Sequence, residues 1–198
     1  MRKKYFGLML VVMLVLGLST LSFAAASKSI TVMASIPGVS SALDVTVSQV
    51  NASNNVFLQS GPNLPIDFGT LTLDPVNSIF TSQFYYAVDI GVNTNTGTSW
   101  TLTHTANSIQ KDATNNLDGN VNVTFAKQTS SSLGTVLQKV SYANSNNVAY
   151  TNSQLTGGWL RLYYGIGTGS GDASGVTPIG ANKASGAYAG TVVITLTP

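Results

Sequence analysis

The sequence contains no cysteine and no glutamate, and it has a single histidine, His104. The lack of cysteine excludes disulfides and a thiolate nucleophile, and one histidine is too few for a zinc site. A Ser-His-Asp triad would have to use His104, which alternation places on the same strand face as Trp100 and Leu102, near the core boundary. The seven aspartates lie mostly at turns, where Asp caps its own backbone. We therefore expect a protein that is not an enzyme and has no catalytic residue, cofactor or metal.

The first 26 residues have the parts of a secretory signal peptide. Basic residues at 2–4 precede an apolar run at 8–18, and small residues at 24–26 provide a cleavage site. The run is shorter than the roughly 20 residues that a membrane span needs, and no second run follows it. We expect residues 1–26 to be removed and residues 27–198 to form one exported domain. This domain would be secreted or held at the cell surface, with no membrane segment.

Charged residues are scarce, at 8% of the chain. Three of the nine Lys and Arg are Arg2, Lys3 and Lys4. After cleavage the chain would have six basic residues and seven Asp, a net charge of −1. Binding to nucleic acid needs a basic stripe that neutralises phosphates, and no such stripe is present. Nucleic acids and anionic membrane surfaces are therefore not expected partners.

Apolar residues alternate with polar ones in nearly every hydrophobic stretch, which is typical of half-buried strands. No stretch has a helical stripe with caps, and Gly, Pro, Asn and Asp cluster between the alternating segments. The predicted strands are residues 30–36, 43–47, 66–73, 84–92, 98–105, 121–127, 136–142, 159–166 and 188–197. Asp118-Gly119, just before residue 121, is the strongest hairpin signal. The pattern predicts an all-β protein, an immunoglobulin-like antiparallel β-sandwich of about nine strands.

The start of the expected mature chain, KSITVMASIP at 28–37, resembles the N-terminal strand of class 5 (alpha) fimbrial major subunits. The segment GAYAGTVVITL at 186–196 resembles their closing strand. The resemblance implies an incomplete sandwich that assembles by donor-strand exchange, in which the N-terminal strand of one subunit completes the fold of the next. Residues 28–37 are then the candidate donor strand, with Ile30, Val32, Ala34 and Ile36 as the inserted side chains. An ordinary first strand that folds back on its own domain remains the alternative.

A second resemblance is to the WxL domain of Gram-positive surface proteins, which implies noncovalent attachment to peptidoglycan. It is carried by IDFGT at 66–70, SWTL at 99–102 and the closing residues 188–198. The second Trp-x-Leu of that domain is replaced here by Ile194-Thr195-Leu196. Exposed aromatic side chains on sheets also hold sugars in many proteins, which makes Trp100 and Trp159 candidate glycan-binding residues.

The sequence therefore favours a non-catalytic, exported structural or adhesive surface subunit. We expect it to self-assemble into a pilus-like fibre by N-terminal strand donation, as a homo-oligomer or with other surface subunits. The alternative is a WxL-like module that binds a cell-wall glycan.

Overall fold

The computed structural model describes residues 42–93, 99–130 and 134–197, which form twelve β-strands and one short 3-10 helix at Tyr142–Asn144. The strands are β1 Ala42–Asn51, β2 Phe57–Gly61, β3 Thr72–Asp74, β4 Ile79–Thr81, β5 Phe84–Asn93, β6 Thr101–Ala106, β7 Val121–Gln128, β8 Thr135–Ser141, β9 Val148–Thr151, β10 Trp159–Ile166, β11 Ile179–Gly180 and β12 Val192–Thr197. The predicted all-β class is confirmed. The expected signal peptide (1–26) and donor strand (28–37) lie outside the described residues.

The largest sheet has six antiparallel strands in the order β2-β1-β5-β10-β7-β8. Because side chains alternate across a strand, cross-strand partners share a face. Val47, Val88, Leu162 and Phe125 are successive partners and define the inner face, which is almost wholly apolar. The outer face carries the alternate residues.

A three-stranded antiparallel sheet, in the order β12-β6-β9, packs on the inner face. His104 of β6 meets the Phe125 ring edge-on at 5.3 Å, and Tyr150 of β9 lies 5.6 Å from the same ring. Phe125 and Leu162 are completely buried, and Leu102 is 1% exposed. Two layers of sheet with one apolar core between them give the molecule a sandwich-like character.

A third, smaller sheet consists of β11, β4 and β3. The segment before it, residues 62–71, was expected to enter a strand at residue 66, and that prediction is wrong over 66–71. Pro65 has no amide hydrogen for a ladder, and Gly69 has a φ of +65° and donates its amide to Asp67 Oδ1 at 2.8 Å. The strand begins only at Thr72.

The other predicted strands within the described ranges overlap β1, β5, β6, β7, β8, β10 and β12. Strands β2, β4, β9 and β11, each of five residues or fewer, were not predicted. Asp118-Gly119 lies in a turn, but the expected hairpin is wrong. The preceding strand, β6, belongs to the β12-β6-β9 sheet, whereas β7 pairs with β8 and β10 in the six-stranded sheet. Within the described part of the chain, no helix is long and apolar enough to cross a membrane.

Candidate functional site: an apolar groove beside strand β12

A large apolar groove, with a volume of about 1080 Å³, opens between the two sheets on the side of β12. Its floor is the inner face of the six-stranded sheet, including Val45, Val47 and Val88. Val192 and Ile194 of β12 form one margin. Residues 64–71 and residues 183–190 form its walls.

Burial of the core decreases toward this groove. Phe125, Leu162 and Ile90 are completely buried, whereas Val45, Val192 and Ile194 are only half-buried. Ile66 and Phe68 of the wall are also half-buried. The described residues therefore complete the core under β6 and β9, but they leave apolar side chains partly accessible beside β12.

Strand β12 is an edge strand among the described strands, since its one sheet neighbour there is β6. The amide of Asn107 donates to the carbonyl of Thr191 at 2.9 Å, just before the first paired residues of β6 and β12. Because every second pair of an antiparallel ladder is hydrogen-bonded, this bond shows which residues of β12 bond to β6. Odd-numbered residues of β12 bond to β6, so the backbone groups of Val192, Ile194 and Leu196 face away from it. The same three residues direct their side chains to the core side. The margin of the groove thus combines apolar side chains with outward-facing backbone donors and acceptors.

The wall at 64–71 is held against the floor by Tyr86. The Tyr86 hydroxyl donates to the carbonyl of Asp67 at 2.5 Å, and the Phe68 ring stands edge-on to the Tyr86 ring at 5.8 Å. Ser82 Oγ donates to the carbonyl of Phe68 at 3.3 Å. These contacts position an irregular segment that no described strand pairs with.

The wall at 183–190 is held by the segment after β6. Gln110 and Ala189 exchange backbone hydrogen bonds of 2.9 and 3.1 Å, and Lys111 Nζ donates to the carbonyl of Ser185 at 2.7 Å. Gly190 permits this close approach, because a Cβ there would lie 2.9 Å from the carbonyl oxygen of Ser108. The absence of a side chain at residue 190 is therefore a packing requirement of the wall.

The ionisable groups that line the groove are few. Lys183 Nζ donates to Asn120 Oδ1 at 3.3 Å, and Asp67 Oδ1 accepts the Gly69 amide. Burial raises the pKa of Tyr142 to about 12 and also raises the pKa of Tyr164, so both hydroxyls stay neutral. Such a lining suits an extended apolar segment that brings its own backbone hydrogen bonds.

The structure places the two candidate glycan-binding residues apart, one just before β6 and the other at the start of β10. Trp100 precedes β6, is half-buried and packs against the core, and its carbonyl accepts the Asn152 amide at 3.0 Å. Trp159 begins β10 and lies on the outer face, where its Nε1 donates to Asp89 Oδ1 at 3.1 Å. The four candidate donor residues Ile30, Val32, Ala34 and Ile36 lie outside the described residues.

His104 lies deeper than its sequence position indicates, with 2% of its surface exposed. Its Nδ1 is 2.8 Å from the carbonyl of Ser145, which can only accept, so Nδ1 carries the proton. Its Nε2 then accepts the hydroxyl of Tyr164 at 2.8 Å. Burial lowers the pKa of His104 below its usual 6.5. The neutral ring is thus fully occupied in joining the two sheets.

Sequence reasoning did not find the groove, because residues that are far apart in the chain form it. The signal for its floor was present in the alternation of residues 43–47. Its walls carry no regular pattern, and only the folded chain shows that they flank an edge strand.

The chain matches no protein-family model, no curated protein and no solved structure.

Proposed function

We propose that this protein is an exported surface subunit that assembles into a pilus-like fibre by strand donation. In this assembly, residues 28–37 of one copy lie in the groove of the next and complete an immunoglobulin-like sandwich. The observation that carries the proposal is the half-buried apolar groove beside β12, whose outward-facing backbone can pair with an added strand.

The candidate donor matches the groove in pattern and length. Their spacing would place Ile30, Val32, Ala34 and Ile36 on one face of an extended segment, as a groove with one apolar floor requires. Seven residues in a strand span about 24 Å, close to the roughly 20 Å length of β12. Full burial of Ile30, Val32 and Ile36 would contribute about 5 to 9 kcal/mol before the cost of ordering the segment. New backbone hydrogen bonds to β12 would fix its register.

Donation in trans and folding back in cis use the same contacts but give different masses. A copy that fills its own groove leaves no free donor and stays monomeric. A copy that donates to its neighbour also presents an empty acceptor, so the contact is head-to-tail and continues into a fibre.

The test is the mass of the purified chain beginning at Ser27, measured by light scattering. Val32→Asp places a charge on the inserted face, whereas Thr31→Asp places the same charge on the opposite face and serves as the matched control. We expect oligomers for the wild type and for Thr31→Asp, and monomers for Val32→Asp and for a chain lacking residues 27–37. The proposal would be refuted if the wild type is a monomer and the chain lacking residues 27–37 is a monomer as well.

A further inference from the structure

The outer face of the six-stranded sheet carries a cluster of aromatic rings around one ion pair. Phe57, Tyr85, Trp159 and Tyr163, with Arg161 and Asp89, form what we call the outer platform. Phe57 is 49% exposed, and the other three rings are half-buried. The platform lies on the face opposite to the groove, because Tyr163 and Leu162 alternate along β10.

Small or short side chains lie between the large ones. Ala87 is the cross-strand partner of Tyr163, Ala126 is the partner of Arg161, and Val50 is the partner of both Tyr85 and Phe57. Ala87, Ala126 and Val50 are completely buried although they belong to the outer face. The larger side chains therefore cover them, and the Tyr85 and Tyr163 rings lie 6.2 Å apart at a tilt of 53°.

The ion pair at the centre carries no net charge and is held by several contacts. Arg161 Nε and Nη2 donate to the two oxygens of Asp89 at 2.5 and 2.7 Å, and Trp159 donates to the same carboxylate. The guanidinium carbon lies 5.8 Å from the centre of the Phe57 ring and 6.0 Å from the centre of the Tyr163 ring. Arg161 is 7% exposed. The rings and the pair thus hold one another in place without a ligand, which is the preorganisation that favours binding.

We propose that the outer platform binds a neutral polysaccharide chain. The C–H faces of flat pyranose rings stack on the exposed parts of the aromatic rings, and sugar hydroxyls bond to Tyr hydroxyls and to the partly exposed Asp89 carboxylate. The Arg161–Asp89 pair is neutral, and the exposed Asp44 and Lys139 on the same face carry opposite charges, so the face offers no net positive charge to an anionic chain. This chemistry favours neutral sugars over uronic acids or phosphates.

The test is isothermal titration of the full chain with three probes, namely cellohexaose, chitohexaose and an oligogalacturonate. We expect saturable binding of at least one neutral hexasaccharide and weaker binding of the oligogalacturonate. Tyr163→Ala combined with Phe57→Ala should weaken binding by about fivefold or more, because each substitution removes a stacking face. Tyr163→Phe keeps its stacking face, so its affinity should stay close to that of the wild type. Val76→Ala is the matched control, since Val76 is 87% exposed and lies between β3 and β4.

Three results would overturn the proposal. These are no binding of either neutral hexasaccharide, unchanged affinity in the double variant with its circular dichroism spectrum intact, or a fall in oligomer mass in the double variant. The last result would assign the platform to a second copy of the chain. Val32→Asp should leave saccharide binding intact. The oligomer mass therefore tests the fibre proposal, and the saccharide affinity tests this one.

Discussion

Shortening one side chain of the candidate donor strand tests whether one face of that strand is buried in the groove. A synthetic peptide of residues 28–37 should bind to the chain that lacks residues 27–37. In the peptide, Val32→Ala removes two methyl groups from the face that strand donation would direct at the groove. At about 0.8 kcal/mol for each buried carbon, the loss is about 1.6 kcal/mol, or roughly 15-fold in Kd.

The matched peptide carries Thr31→Ala, which changes the opposite face of the same strand. It should bind within about twofold of the wild-type peptide, since an exposed side chain contributes little. On the acceptor side, Ile194 is already half-buried, so Ile194→Ala should weaken binding by about 1 kcal/mol, roughly fivefold. Thr195→Ala, on the exposed side of β12, should have no such effect.

Fluorescence polarisation of a labelled peptide measures all four affinities. Equal losses for Val32→Ala and Thr31→Ala would refute the argument, because a strand bound in a one-sided groove must distinguish its two faces. Absence of binding by the wild-type peptide would refute it as well.

The remaining predictions concern the parts that hold the groove and the platform in place. His104 has a lowered pKa in the folded state, so its neutral form stabilises the fold above about pH 6.5, and that contribution is lost as the pH falls through the lowered pKa. Chemical denaturation between pH 7.5 and 5 should show this loss, and His104→Gln should have a flatter pH profile. Asp89→Asn leaves Arg161 buried without its carboxylate and should lower the free energy of unfolding by about 1 to 3 kcal/mol, whereas Asp44→Asn on the same face should change it by less than about 0.5 kcal/mol. Gly190→Ala places a Cβ 2.9 Å from the Ser108 carbonyl and should destabilise by about 1 to 3 kcal/mol in thermal unfolding, while Gly119→Ala, with nothing within 4 Å, should not destabilise. An unchanged melting temperature for Gly190→Ala would show that residues 183–190 can move away from their support.

Long alternating segments made the central strands predictable from sequence. Strands β1, β5, β7 and β10 each have eight or more residues, and their inner-face side chains repeat with period two. Short strands carry too few alternating positions, which explains why β9 and β11 were missed. The segment 66–71 also alternates, but Pro65 and the left-handed backbone at Gly69 prevent a ladder there.

The candidate site was predictable on one side only. The alternation of residues 30–36 indicates a strand with one apolar face, and it can be seen in the sequence without any partner. The groove depends on which strands become neighbours, and local pattern does not encode that. His104 illustrates the same limit, since its strand face was predicted while its bonds to Ser145 and Tyr164 required the packing of two sheets.

The floor and the margin of the groove come from opposite ends of the described chain, because Val45 and Val47 lie in β1 and Val192 and Ile194 lie in β12. The groove is therefore complete only when residues far apart in the sequence have come together. A chain that is still being synthesised has the floor residues of β1 before it has the margin residues of β12. If the groove is the acceptor, a subunit can accept a neighbour only after β12 has joined the fold. A subunit that lacks β12 should therefore not accept a neighbour.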